Sequence, residues 1–308
     1  MSCSPSPCSR ADLALALSRE RGIAAFGVAA AEPVDAESVL SYRQWVDSGR
    51  HATMDYLARY DDVRSDPRLL LEGASSLVVC AFPYLPHDER PASLPHIARY
   101  AMGRDYHETV RERLTEAATE LAAEFGGEWR ACVDTAPLRE RYWAVQSGLG
   151  FIGRNCQLIV PGVGSYVFIG TLVTTLCLEP DEPCRLSCLH CGRCVRACPG
   201  GALLSDGTFD AARCISYLTI EHRGDLPADA DLHGCLYGCD RCQEVCPHNR
   251  GAMHTLLPDF EARPALLTLT ADDVAAMTQA QFSATFTHSA IKRAKLAGLQ
   301  RNAARLLK

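Results

Sequence analysis

Cys188-Leu-His-Cys191-Gly-Arg-Cys194-Val-Arg-Ala-Cys198-Pro199 is the stretch whose reading decides the rest of this 308-residue chain. Its spacing, C-x₂-C-x₂-C-x₃-C-P, is the one by which bacterial-type ferredoxins hold [4Fe–4S] clusters. A partial echo follows, Cys239-Asp-Arg-Cys242-Gln-Glu-Val-Cys246-Pro247, with Cys214 alone between the two. Three thiolates on one tight loop reach three corners of a cubic cluster, and the fourth, a helical step beyond, reaches a different cluster. The crossed rule assigns Cys188, Cys191, Cys194 and Cys246 to a first cluster. Cys198, Cys214, Cys239 and Cys242 go to a second. Of the 16 cysteines, Cys3, Cys8, Cys80, Cys132, Cys156, Cys177, Cys184 and Cys235 are then left over, most of them as small hydrophobes in or near the core.

Other uses of cysteine fit less well. A disulfide framework needs an oxidising compartment, and Met1 to Arg10 has no apolar signal-peptide core, so a cytoplasmic protein is expected. Zinc ribbons use separated C-x₂-C pairs rather than four cysteines in one run closed by proline. Cys184-x₃-Cys188-x₂-Cys191 and Cys235-x₃-Cys239-x₂-Cys242 have radical-SAM spacing, but each continues into the C-x₃-C-P tail. Gly148-x-Gly150-x-x-Gly153 matches a dinucleotide fingerprint as a string and fails on context, because a helix precedes it where a strand is needed.

The length exceeds one ferredoxin several-fold, and the 47% hydrophobic content is that of a globular protein. No apolar run is long enough to span a bilayer. The net charge of −6 argues against bulk affinity for nucleic acid. The segment Gln281 to Lys308 departs from that balance, carrying Lys292, Arg293, Lys295, Arg301, Arg305 and Lys308 with no acid. Such a run is either a solvated face or a phosphate-binding one.

Ahead of the cysteines, strand and helix alternate. The pattern predicts a helix over Ala11 to Arg21, strands at Ile23–Val28 and Leu77–Phe82, and a helix over Asp105–Phe125 stopped by Gly126-Gly127. A strand at Arg130–Asp134, a helix from Pro137 to Ser147 and a strand at Tyr166–Leu176 follow. An α/β layer domain to residue 178 is expected, then a two-cluster module over 179–252. A C-terminal region, 253–308, has a helical tail from about Asp272.

Several strings resemble the epoxyqueuosine reductases of tRNA queuosine biosynthesis. They include Arg213-Cys-Ile-Ser-Tyr-Leu-Thr-Ile-Glu221, Tyr237-Gly-Cys-Asp-Arg-Cys-Gln-Glu-Val-Cys-Pro247 and Met54-Asp-Tyr56. Arg64-x-x-Pro67-x-x-Leu70, Gly103-Arg-Asp-Tyr-His107, Val133-Asp-Thr135, Gly148 to Asn155, Gly164 to Val167 and Ser289 to Asn302 agree as well. Nearly the whole chain is covered. Arg154 stands where many relatives have Lys, and many relatives carry a C-terminal helical-repeat domain beyond the point where this sequence ends.

The resemblance implies an α/β (α+β) fold with a nitroreductase-like, cobalamin-binding first domain. It implies an oxidoreductase in which two [4Fe–4S] clusters pass single electrons to cobalt, and the epoxide oxygen of a modified base in a tRNA anticodon leaves as water. Asp134 corresponds to the family's proton donor, with a pKa expected to be raised by desolvation; its alternative role is capping the following helix. Arg64, Asp134, Asn155, Ser216 and Asp240 are expected near the corrin, with a phosphate contact or a surface salt bridge the alternatives for Arg64. Asp231-x-His233 does not continue into the D-x-H-x-x-G cobalamin motif, so no protein histidine is expected below the cobalt. Lys292, Arg293, Lys295 and Arg301 are expected on anticodon-stem phosphates. Tyr106 and His107 are left between lining the pocket and starting a helix. A monomer with an external low-potential electron donor completes the expectation. The competing readings are a corrinoid reductase of small molecules, dehalogenase-like, and a non-enzymatic electron carrier.

Overall fold

The computed structural model describes residues 6–308, so Cys3 lies outside the described residues. Eight strands occur in chain order: β1 (Ala25–Ala30), β2 (Ser76–Pro83), β3 (His96–Ile97), β4 (Trp129–Cys132), β5 (Phe151–Ile152), β6 (Leu158–Ile159), β7 (Val167–Thr174) and β8 (Cys235–Tyr237). The main sheet has the order β1-β2-β7-β4, and every neighbouring pair is antiparallel. All eight residues of β2 are buried, because helices cover both faces. Val78, Cys80 and Phe82 pack with Val110, Leu114 and Leu121 of α1 (Tyr106–Phe125). The alternate residues Leu77, Val79 and Ala81 share the other core with Trp143 and Ala144 of α2 (Glu140–Gln146). A two-residue period thus feeds two cores from one strand. Close approach of α1 needs Gly170 on β7, since a Cβ there would come within 2.7 Å of Val110 and Leu114 side-chain carbons.

The predicted elements are present with shifted ends. The expected helix Ala11–Arg21 is Arg10–Ala16 followed by a 3₁₀ turn at Arg19–Arg21. The expected helix Pro137–Ser147 begins only at Glu140. The expected strand Arg130–Asp134 ends at Cys132, which leaves residues 133–139 as an irregular loop. That loop carries Asp134. The rule that ligands gather at carboxyl ends of parallel strands does not place it, because β4 is the edge of an antiparallel sheet. The Gly148-x-Gly150-x-x-Gly153 string has α2 before it and β5 after it, the reverse of a dinucleotide loop.

The cysteine-rich segment contributes α3 (Arg193–Ala197), α4 (Ile215–Ile220) and α5 (Arg241–Glu244), with α3 packed on α5. Strand β8 pairs in parallel with β3 of the N-terminal half. The last helix, α6 (Lys295–Leu306), packs on β8 and α4. Its Asn302, fully buried, donates to the carbonyls of Thr219 and Leu236 at 2.8 and 3.0 Å. The helical tail starts at Pro264, ahead of the expected Asp272. Among the described residues no helix is long and apolar enough to cross a membrane.

Candidate active site and thiol clusters

Two groups of four thiols gather around α3, α4 and α5. Cys188, Cys191, Cys194 and Cys246 line a small cavity with Gly153, Arg154, Asn155 and His248. Cys198, Cys214, Cys239 and Cys242 form the other group. Burial raises Cys242 most, and the charges of Cys239, Cys214 and Cys198 then raise it further. Backbone N–H groups point at these sulfurs. Arg154 donates to Cys188 at 3.5 Å and Ala202 to Cys198 at 3.3 Å. Ser216 and Tyr217 do so at Cys214, His248 and Asn249 at Cys246, Val195 at Cys194 and Arg241 at Cys239. Oriented N–H dipoles favour the thiolate form that ligates iron.

The leftover cysteines divide. Cys8, Cys80, Cys132 and Cys235 are buried, while Cys156, Cys177 and Cys184 are half-buried. Cys235 packs in the core with Ile215, Leu218 and Leu232, as expected, and its thiol donates to the His233 carbonyl at 3.9 Å; its interaction with Cys239 lowers Cys239 and drives Cys235 upward. Among the described residues, no three His, Cys, Asp or Glu side chains are close enough to share one metal ion. A four-iron cube instead needs thiolates spaced around it. Four thiols about one cavity, met by N–H dipoles, fit such a cluster. His248 lines the same cavity, and its Nε2 is shut off from water without a hydrogen bond.

Asp134 stands on a tight turn. Thr135 N–H donates back to the Val133 carbonyl, and Asp134 between them has φ 44°. A γ-turn of positive φ costs about 1–3 kcal/mol and persists only where neighbours impose it. Here three groups do so. The Asp134 N–H donates to Glu140 Oε1 at 2.6 Å, Tyr106 Oη donates to Asp134 Oδ2 at 2.9 Å, and His107 Nε2 lies 2.9 Å from the same oxygen. His107 Nδ1 sits 2.7 Å from Oδ1 of Asp105, the N-cap of α1. The imidazole therefore bridges two carboxylates, which raise its pKa to about 9 against the opposing effect of burial. Tyr106 is stacked on Phe168 at 4.3 Å between centroids, fixing the phenol.

The charge balance differs from the expected one. Burial does push Asp134 up, but the hydrogen bond and charge of His107, with help from Tyr106, outweigh it and leave the carboxyl below its usual range. Glu140 is the group with the raised value, about 8, through burial first and then the Asp134 charge. The Asp134 side chain stays 56% exposed, so the carboxylate is open to a substrate. Tyr56 borders the same opening: its phenol is raised to about 12 by burial, then by Glu221, and it feels Arg293 and Asp134. Arg293 lies over the Tyr56 ring at 5.6 Å.

The remaining expected residues separate. Arg64 donates to the carbonyls of Arg59 and Tyr56 at 3.1 and 3.2 Å rather than making a salt bridge. Asn155 is buried at the cluster cavity, its Nδ2 3.5 Å from the Cys242 carbonyl. Asp240 is buried too, accepting the Arg99 N–H at 2.8 Å, with His96 Nε2 at 3.2 Å. Ser216 is half-buried beside Cys214. In the tail, Lys292 and Lys295 are exposed. Arg293 is neutralised by a two-pronged pair with Glu221 at 2.8 and 2.7 Å. Arg301 instead donates to the carbonyls of Leu218, His222 and Gly224, and Arg305 to those of Ala228 and Ala230. Sequence reasoning missed Glu140, gave Tyr56 no role and set Tyr106 and His107 aside. The only signal for these three aromatic residues was their place inside family-like strings.

An antiparallel sheet with an exposed acid at its edge, beside two groups of four thiols, fits an iron–sulfur oxidoreductase. Residues 64–135 match the family model described as epoxyqueuosine reductase QueG, DUF1730, and residues 187–249 match the 4Fe-4S double cluster binding domain. An epoxyqueuosine reductase of Synechococcus sp. is 38% identical over 303 residues, 96% of this chain and 94% of that protein. One from Cellulophaga algicola is 37% identical over 264 residues, covering 84% and 86%. The chain belongs to the epoxyqueuosine reductase family. Among solved structures, an epoxyqueuosine reductase with an epoxyqueuosine-modified tRNA-Tyr stem loop superposes with TM-score 0.84 at 30% identity, covering 94% of this chain and 78% of that one. A Bacillus subtilis epoxyqueuosine reductase, its aspartate catalytic loop swung out of the active site, also gives TM-score 0.84 at 30% identity, covering 93% and 77%.

Proposed function

We propose that this protein reduces epoxyqueuosine to queuosine in tRNA, drawing electrons through two [4Fe–4S] clusters. What carries the reading is the likeness, over 94% of the chain, to a reductase solved with its modified tRNA stem loop. The thiol groups and the acid fit it. Cys188, Cys191, Cys194 and Cys246 would hold one cluster, and Cys198, Cys214, Cys239 and Cys242 the other. A cobalamin, when bound, supplies one-electron cobalt chemistry next to the base. Of the residues expected around it, Asp134 and Ser216 keep polar groups available. Arg64, Asn155 and Asp240 also make hydrogen bonds within the protein, and all five stay candidates for the corrin's surroundings.

Removing an epoxide oxygen as water consumes two electrons and two protons. The Asp134 carboxylate is ionised in the free protein, and the nearest proton rests on His107, 2.9 Å away. The chain thus holds one of these two protons, shared along Asp105, His107 and Asp134, and Asp134 hands it to the oxygen as negative charge builds there; the second comes from solvent. When the base covers the opening, water is excluded and the proton moves towards Asp134, because desolvation disfavours its charged form. Glu140 and the γ-turn keep the carboxyl in place. Tyr56 offers an aromatic face at the opening. Lys292 and Lys295 remain as exposed cations for anticodon-stem phosphates.

The test is anaerobic turnover. Iron-loaded protein, cobalamin and dithionite are mixed with epoxyqueuosine-containing tRNA, and nucleosides are read by mass spectrometry. Loss of one oxygen, abolished when cobalamin is left out, is the expected result. Unchanged nucleoside from protein with full iron and bound cobalamin would overturn the reading.

A further inference from the structure

The chain carries a docking face for its electron donor, we infer, and the face fits an acidic one-electron carrier protein. The inference rests on the proposed reduction, which needs two single-electron deliveries from outside. The two thiol groups differ in access. In the first group Cys194 is buried, Cys188 and Cys246 are half-buried and Cys191 is exposed, whereas no thiol of the second group is exposed. The second group also lies towards the substrate opening, since Cys214 immediately precedes α4 and Glu221, at the end of that helix, pairs with Arg293 beside Tyr56. Electrons therefore enter at the Cys191 side and leave at the Cys214 side.

The surface around Cys191 is built unlike the rest of this acidic chain. Leu186 and Leu189 are 59% and 63% exposed on the loop that carries Cys188, and Leu189 also lines the thiol cavity. Next to them lies a shallow, open concavity lined by Arg193, Arg196, Ala197, Glu244, Val245, Cys246, Pro247 and Arg250. Cys246 and Arg193 border both the cavity and the concavity, so a molecule seated there touches the wall of the first cluster.

Charge decides the partner. Arg193 and Arg250 are exposed and make no ion pair among the described residues. Arg196 donates only to the Cys191 carbonyl, at 3.1 Å. The single acid, Glu244, is already paired with Arg99 at 2.8 Å and with Arg241 at 3.5 Å. The result is a cationic rim around a small apolar centre on a protein of net charge −6. Transient redox complexes bury little area and rely on electrostatic steering for their encounter rate. A carrier with an acidic face around its own redox centre is the complement. In each encounter one electron leaves the carrier's reduced centre and takes the chain's cluster from the 2+ to the 1+ state, with no proton or bond involved. Two encounters supply one turnover.

The experiment is stopped-flow reduction of the iron-loaded protein, comparing a photoreduced acidic [2Fe–2S] ferredoxin with dithionite. Arg193→Glu/Arg250→Glu should lower the ratio of ferredoxin-driven to dithionite-driven rate about 10-fold or more, and flatten the salt dependence of the ferredoxin rate. Arg193→Gln/Arg250→Gln should fall between. Taking the ratio cancels any damage to the cluster itself. An unchanged ratio would overturn the inference. So would an unchanged ratio with weakened tRNA binding, which would make the face a tRNA contact. Because the readout is cluster reduction, loss of tRNA turnover with an intact ferredoxin effect would count against the proposed substrate and not against this face.

Discussion

Cys80 in the sheet and Cys242 in the module are both raised by burial, yet they sit in opposite kinds of surroundings. Cys80 is walled by apolar side chains of β2 and α1, with nothing that would favour a thiolate. Cys242 has three other thiols within electrostatic reach, and its neighbours Cys214 and Cys239 accept backbone N–H groups. The first is a small hydrophobe filling a core. The second stands in a group of four thiols, the set we propose as iron ligands. Residue type says little; the company of dipoles and other sulfurs says which role a cysteine takes.

The sharpest way to break that comparison is to replace one cysteine in each region. Cys242→Ser should cost a whole cluster, halving bound iron and ending electron transfer, while Cys80→Ser should leave iron content untouched. Its penalty is stability, about 1–3 kcal/mol for a hydroxyl buried without a partner, measured by chemical denaturation. Next in size is Asp134→Asn, which should slow conversion about 10²–10⁴-fold with iron content and tRNA affinity retained. Equal loss of tRNA affinity would instead make Asp134 a binding residue.

Two pH windows follow from the same pocket. His107 has a folded value of about 9 against an ordinary 6.5. Its contribution is therefore whole below about 6.5 and lost as pH rises through about 9, and turnover should fall there with it. His107→Gln should remove that limb. Glu140 has a folded value of about 8 against 4.5, so the folded state keeps a proton that the unfolded chain gives up, and stability declines as pH rises from 4.5 towards 8. Thermal unfolding of Glu140→Gln across that range should show a flatter profile while the γ-turn keeps its acceptor. The smallest effect is expected at the surface. Lys292→Ala and Lys295→Ala should each reduce the salt slope of tRNA binding by about 1 and leave turnover at saturating tRNA unchanged. Arg301→Ala should act on stability, because its donors are used by carbonyls at the end of α4.

Cysteine spacing made the module legible because ligand geometry is imposed locally, within a few residues of each Cys-Pro step. Strand β2 was equally plain, since an apolar run with β-branched residues has few other uses. The acid loop was not. The helix after it was placed three residues early, because proline at 137 is a good first helical residue and nothing in the sequence tells of the turn that delays it to Glu140. Glu140 acquires its role from an N–H six residues back, a relation no periodicity encodes. The lowered Asp134 value has the same origin: His107 lies on another element, and only the fold brings it within 2.9 Å. The basic tail misled in the other direction. A run of cations reads as a surface charge, yet Arg301 and Arg305 spend their donors on backbone carbonyls of the module.

The account turns on eight thiols acting as two sets of four, and Mössbauer spectroscopy with iron analysis tests that most directly. Anaerobically reconstituted protein should show only [4Fe–4S] signals, with about eight irons per chain, falling to about four in Cys242→Ser and in Cys194→Ser alike. Equal iron in all three proteins, or zinc in place of iron, would contradict it.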